Sequence, residues 1–90
     1  MTEKMVEEYL RTECLRRGWL CEKFVSPNRR SVPDRLITMP GGRIVFIEVK
    51  SPTGRLTSGQ KRDHERRLAF GCEVYVVYSR PEVDELLGKL

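Results

Sequence analysis

Between Thr2 and Arg17 the apolar residues Met5, Val6, Tyr9, Leu10, Cys14 and Leu15 recur at the spacing of one helical face. Thr2 is placed as N-cap, Glu3 lies in the first turn, Arg16 and Arg17 lie in the last, and Gly18 is a stop. From Trp19 to Val25 large apolar side chains take over until Ser26-Pro27-Asn28, so a strand is predicted to run into a basic loop, Arg29-Arg30-Ser31. Asp34 to Met39 and Arg43 to Lys50 are two more strands on either side of Pro40-Gly41-Gly42, most simply an antiparallel hairpin. In the second of them both alternating sets, Ile44/Phe46 and Val45/Ile47/Val49, are apolar, which marks a strand covered on both faces.

Thr57 or Ser58 can cap a helix whose Gln60, His64 and Leu68 fall on one stripe, with Leu68 in the core, and which stops at Gly71. Cys72 to Tyr78 alternates as a strand, and Pro81 opens a last helix carrying Val83, Leu86 and Leu87. The predicted order is α-β-β-β-α-β-α: an α/β fold with a mixed central sheet flanked by helices. Ninety residues are room for one domain, spanning 1–90.

Composition narrows the class. With 39% hydrophobic and 33% charged residues the chain reads as globular rather than disordered. Its longest apolar stretch, Ile44 to Ile47, is too short to span a bilayer, and charge begins at Glu3, so an intracellular, cytoplasmic protein without membrane association is expected. Cys14, Cys21 and Cys72 are odd in number and lack CxxC spacing, which predicts buried, reduced thiols rather than disulfides or a zinc site. A net charge of +4 permits a polyanionic partner without requiring one.

Candidate chemistry sits on the hairpin. Asp34 lies seven positions before Gly41 and Glu48 seven after it, so an unbroken hairpin brings the two carboxylates opposite each other. Lys50, two residues on, projects from the same face as Glu48. Two carboxylates with the Val49 backbone carbonyl make a half-shell for a hard divalent ion such as Mg²⁺, and Lys50 is placed to orient a water or to stabilise developing charge, the parts that phosphodiester hydrolysis needs. Pro-Asp often only opens a turn and Glu-x-Lys is often a surface ion pair. Here, however, Glu48 and Lys50 share a face with Ile44 and Phe46, which read as buried, and a charge on an apolar face is costly unless paired or metal-bound. Glu3 and Glu7, four apart on the first helix, are each able to aim a carboxylate toward that ion, whereas Glu8 and Glu13 read as solvated. Gln60 and His64 point the same way as Leu68. Arg29, Arg30 and Arg35 flank Asp34, while Arg55, Lys61, Arg62, Arg66 and Arg67 follow Lys50, a ring suited to DNA phosphates.

Pro33-Asp34, thirteen intervening residues and Glu48-Val49-Lys50, on this order of elements, resemble the PD-(D/E)xK nucleases, whose core is restriction-endonuclease-like. Val32-Pro33-Asp34, Phe46 to Pro52, Arg55-Leu56-Thr57 and Gln60 are similar to the VRR-NUC domain, the virus-type replication-repair nuclease module. The resemblance implies that Asp34 and Glu48 bind Mg²⁺ or Mn²⁺, that Lys50 serves the attacking water and that Gln60 supports the site. It also implies a first-helix acid: Glu7 by its distance to Gly18, with Glu3 as the alternative. Ser31 departs from the glycine expected before Val-Pro-Asp. Stand-alone members, found in phages and bacteria, resemble Holliday-junction resolvases, which implies a homodimer cutting branched DNA, with exposed helix surface around Tyr9 or Leu87 as candidate dimer contacts. The same residues also suit a flap or non-specific DNA nuclease, and the basic surface alone suits a non-catalytic branched-DNA-binding module.

Overall fold

Thr2 caps helix α1 (Glu3–Arg16): its side chain accepts a hydrogen bond from the Met5 N–H, and Glu3 meets the positive helix end. The computed structural model describes residues 1–90. After α1 come β1 (Leu20–Lys23), β2 (Arg35–Thr38), β3 (Ile44–Val49), α2 (Ser58–Ala69), β4 (Glu73–Val77) and α3 (Arg80–Lys89), the predicted order.

The four strands form one sheet in the order β1-β2-β3-β4. The first two pairings are antiparallel and β3–β4 is parallel, α2 supplying the crossover that a parallel pair requires. Between β2 and β3 the chain reverses at Gly41 (φ +90) and Gly42 (φ +86), a conformation costly for other residues, and Met39 N–H donates to the Arg43 carbonyl across 2.8 Å. The ladder then runs from Thr38↔Ile44 to Arg35↔Ile47 without a bulge.

One face of the sheet makes the core. Val45, Ile47 and Val49 of β3 join Ile37 and Val77 against Val6, Leu10 and Cys14 of α1 and Val83 and Leu87 of α3. Each such side chain withdrawn from water contributes roughly 1.5–3 kcal/mol. The other face meets α2, whose buried residues are Asp63 and His64.

Several expectations are corrected. Leu68 is 55% exposed, because α2 turns a polar stripe and not Leu68 to the sheet. Ile44 is 47% exposed, since it lies at the turn end of β3; Phe46 on the same face is half-buried. Leu87 itself is core, whereas Tyr9 is half-exposed, its hydroxyl donating to Asp84 at 2.7 Å with Arg80 over its ring. Glu13 is buried against Arg16 and Arg17 rather than solvated. All three cysteines are free, but only Cys14 is fully buried. No helix is long and apolar enough to cross a membrane.

Candidate active site

The hairpin ladder sets the acids. One step outward from Arg35↔Ile47, Asp34 lies opposite Glu48, the predicted relation. Asp34 Oδ2 accepts from the Val49 N–H at 2.8 Å, which ties its carboxylate to the strand carrying Glu48. The Glu48 side chain is 1% exposed and is reached from α2 by two groups: Gln60 Nε2 donates to Oε2 at 3.3 Å, and His64 Nε2 lies 3.3 Å from Oε1. Gln60 has a second task. Its side-chain oxygen accepts from the Thr57 N–H and its own N–H donates to Thr57 Oγ1, a capping box. The amide that closes the first turn of α2 therefore also holds Glu48.

Burial pushes the Glu48 carboxyl up to about 9, Asp34 adds to this through a hydrogen bond and its charge, Lys50 acts in the opposite sense, and Glu3 contributes a further rise. Burial also holds His64 below its ordinary value, so the ring beside Glu48 is neutral near pH 7. The other two buried acids are neutralised by arginines, Glu13 by Arg16 and Arg17 and Asp63 by Arg66 and Arg67. Glu48 has no lysine or arginine partner, and neither has Asp34. Two adjacent carboxylates, one of them wholly withdrawn from water, thus lack a positive charge that the fold supplies to every comparable acid.

The helix acids separate. Glu7 accepts from Arg35 Nε at 2.7 Å and has Lys23 at 3.9 Å. Arg35 is paired with Ile47, and alternation puts both on the α1 side of the sheet, opposite the face bearing Glu48. Glu7 is thereby committed away from the acid pair, whereas the charge of Glu3 does reach Glu48.

The basic residues separate as well. Arg35, expected to meet DNA, is buried against Glu7. Arg66 and Arg67 are held by Asp63, and Arg67 also lies over Phe24 and Phe46, centroid distances 5.1 and 4.8 Å. Lys4, Arg29, Arg30, Lys50, Arg55, Lys61, Arg62 and Arg80 have no carboxylate partner. Six of these eight fall between Arg29 and Arg62, in the segments that lead to Asp34 and away from Glu48. The stripe Gln60, Asp63, His64 and Arg67 escaped hydrophobic patterning because it is polar, although its i, i+3, i+4, i+7 spacing is that of a packed helix face.

The family model of the VRR-NUC domain matches residues 3–81. "Putative nuclease p44" of Acyrthosiphon pisum secondary endosymbiont phage 1 is 44% identical over 78 residues, which span 87% of this chain and 84% of that one. A solved structure titled "VRR_NUC domain" superposes with a TM-score of 0.90 at 32% identity, over 98% of this chain and 97% of the other. Fold, strand-borne acids and relatives agree, and the chain belongs to the VRR-NUC domain family of nucleases.

Proposed function

We propose that the protein is a divalent-metal-dependent endonuclease that hydrolyses phosphodiester bonds in branched DNA, working as a homodimer in the manner of a junction resolvase. The observation that carries this is the Asp34–Glu48 pair, placed together by the hairpin with no basic partner and beside Lys50. Asp34, Glu48 and the Val49 carbonyl would hold Mg²⁺ or Mn²⁺, with Glu3 rather than Glu7 from α1 supporting the ion through a bound water, and the ion would polarise the phosphoryl oxygen and acidify water. No three His, Cys, Asp or Glu side chains converge on one point, so waters and a phosphate oxygen would have to complete the shell of a hard ion.

Lys50 orients the attacking water and offsets charge on the phosphate as the P–O bond to the leaving strand breaks. Gln60 and His64 fix the Glu48 carboxylate, and the unpaired cations Arg29, Arg30, Arg55, Lys61 and Arg62 bind phosphates on either side. For the dimer, Leu20, Thr38 and Ile44 form one cross-strand row with both leucine and isoleucine exposed, apolar surface suited to a second copy. A two-fold dimer with two active sites matches the symmetry of a four-way junction.

The test is cleavage of a labelled four-way junction, a flap and a linear duplex, each with Mg²⁺, Mn²⁺ or EDTA, alongside sedimentation. Paired nicks on the junction, none in EDTA, and a mass about twice the 10.5 kDa chain are expected. Binding without cutting in every metal would make the protein a DNA-holding module instead, and equal cutting of linear duplex would remove the branch selectivity.

A further inference from the structure

We infer that the pocket beyond Lys50 is a subsite for an unpaired nucleotide next to the cut, with the phosphate on Arg55 and Lys61 and the base against Tyr78. The inference rests on reading Asp34 and Glu48 as the cutting site.

Position comes first. The loop from Pro52 to Leu56 joins the strand that carries Glu48 to the helix that carries Gln60 and His64, and Lys61 directly follows Gln60, so the loop is continuous in the chain with both halves of the acid site. That loop, with Lys61 and Tyr78, lines an open pocket of about 550 Å³, within the range of about 300–1,000 Å³ typical of small-molecule sites and ample for one nucleotide. Tyr78 follows Val77, whose partner in the parallel ladder is Val49, and the Val77 carbonyl accepts from the Lys50 N–H at 2.9 Å. The tyrosine is therefore the next residue across the sheet from Lys50.

Chemistry agrees with position. The lining contains Arg55 and Lys61 and no acid, and neither cation is spent on a carboxylate anywhere in the chain. Two cations without carboxylate partners around an acid-free pocket make a place for an anion. Tyr78 lines the same space, and its hydroxyl makes no hydrogen bond within the protein. Its backbone is anchored, because the Tyr78 N–H donates to Glu82 Oε1 in the first turn of α3, itself capped by Ser79. An aromatic residue held at its backbone, with a free hydroxyl and two free cations beside it, suits a phosphate with a base attached. Stacking on that ring requires a base outside a duplex stack, which points to branch points, flaps and gaps over continuous duplex.

The experiment measures binding in Ca²⁺, to permit DNA association without turnover, of a fluorescein-labelled duplex carrying a single-stranded arm and of a blunt duplex of the same sequence. Tyr78→Leu should weaken binding of the armed DNA by about tenfold and leave the blunt duplex unchanged, while Tyr78→Phe, which keeps the ring, should stay near wild type. Arg55→Gln with Lys61→Gln should weaken binding of the armed DNA more than of the blunt duplex and lower the slope of log affinity against log salt for the armed DNA by about 1 to 2. Equal affinity of wild type and Tyr78→Leu for the armed DNA, or equal losses on both DNAs, would overturn the nucleotide subsite; thermal unfolding of each variant shows that it is folded. Because binding is read without cutting, a wild-type protein that cleaves nothing in Mg²⁺ or Mn²⁺ would defeat the metal-site reading while the Tyr78 comparison still decides the subsite.

Discussion

Asp34 stands opposite Glu48 because the β2–β3 ladder runs unbroken from Thr38↔Ile44 to Arg35↔Ile47. Each step outward from the Gly41–Gly42 turn changes the face, so inserting or deleting one residue in either strand would send one acid to the α1 side, into the core. The carboxylates are close because the turn is symmetric about Gly41, and they are costly because Glu48 is buried. This juxtaposition has consequences for stability as well as for chemistry.

Glu48→Gln should abolish cleavage and, in EDTA, stabilise the fold. The folded-state value of Glu48, about 9, lies above its ordinary value of 4.5, so the folded protein holds a proton that the unfolded chain releases between those limits. The stabilising contribution of that proton is complete below pH 4.5 and is lost as pH rises through about 9. Wild type in EDTA should therefore melt at lower temperature at pH 8 than at pH 5, by several degrees for each kcal/mol lost, and Glu48→Gln should flatten that dependence. Excess Mg²⁺ should raise the wild-type midpoint at pH 8 and leave the variant unmoved. A variant less stable than wild type at pH 8 in EDTA, or one that still responds to Mg²⁺, would contradict the assignment.

Glu3 and Glu7 are told apart by different readouts. Glu3→Gln should reduce cleavage by about 10–100-fold, the usual cost of a supporting group at a metal site, with an unchanged melting temperature. Glu7→Gln should leave kcat near wild type and destabilise the protein by roughly 1–3 kcal/mol, because the buried guanidinium of Arg35 loses its carboxylate. The reverse pattern, an inactive but stable Glu7→Gln, would restore Glu7 to the active site.

The sequence discloses what depends on local spacing. The α-β-β-β-α-β-α order follows from apolar periods and breakers, and the Asp34–Glu48 pairing from counting outward from Gly41. Partnerships across long separations are not visible in this way: Arg35 and Glu7 are 28 residues apart, and either alone looks like an available charge. The inward face of α2 is hidden for another reason. Gln60 and His64 reach the sheet through Glu48 and Arg67 lies over Phe24 and Phe46, held there by an ion pair with Asp63 on the same helix, while Leu68, the residue a hydrophobic count selects, faces water. Tyr78 likewise reads as the end of a strand until the loop after Lys50 closes beside it.

Ser31 and Gly59 form a contact that joins the two halves of the site. Ser31 has φ +65, the left-handed conformation that explains why a glycine is expected there. A Cβ on Gly59 would meet Ser31 Oγ at 2.7 Å and Ser31 Cβ at 3.4 Å. The first residue lies in the loop leading to Asp34, the second beside Gln60. Ser31→Gly relieves left-handed strain of about 1–2 kcal/mol, offset in part by the greater freedom of glycine in the unfolded chain, so a gain of up to about 1 kcal/mol is expected. Gly59→Ala should destabilise the wild type through the clash, yet in the Ser31→Gly background, where both opposing atoms are gone, the preference of helices for alanine should make it neutral or stabilising. A double-mutant cycle read by urea unfolding should show coupling of about 1–2 kcal/mol, and additivity within about 0.5 kcal/mol would mean that the contact carries no energy. The same four proteins should differ little in metal-free DNA affinity, because neither residue carries charge; a large change in affinity would show that the loop conformation, and not the contact alone, positions the neighbouring Arg29 and Arg30.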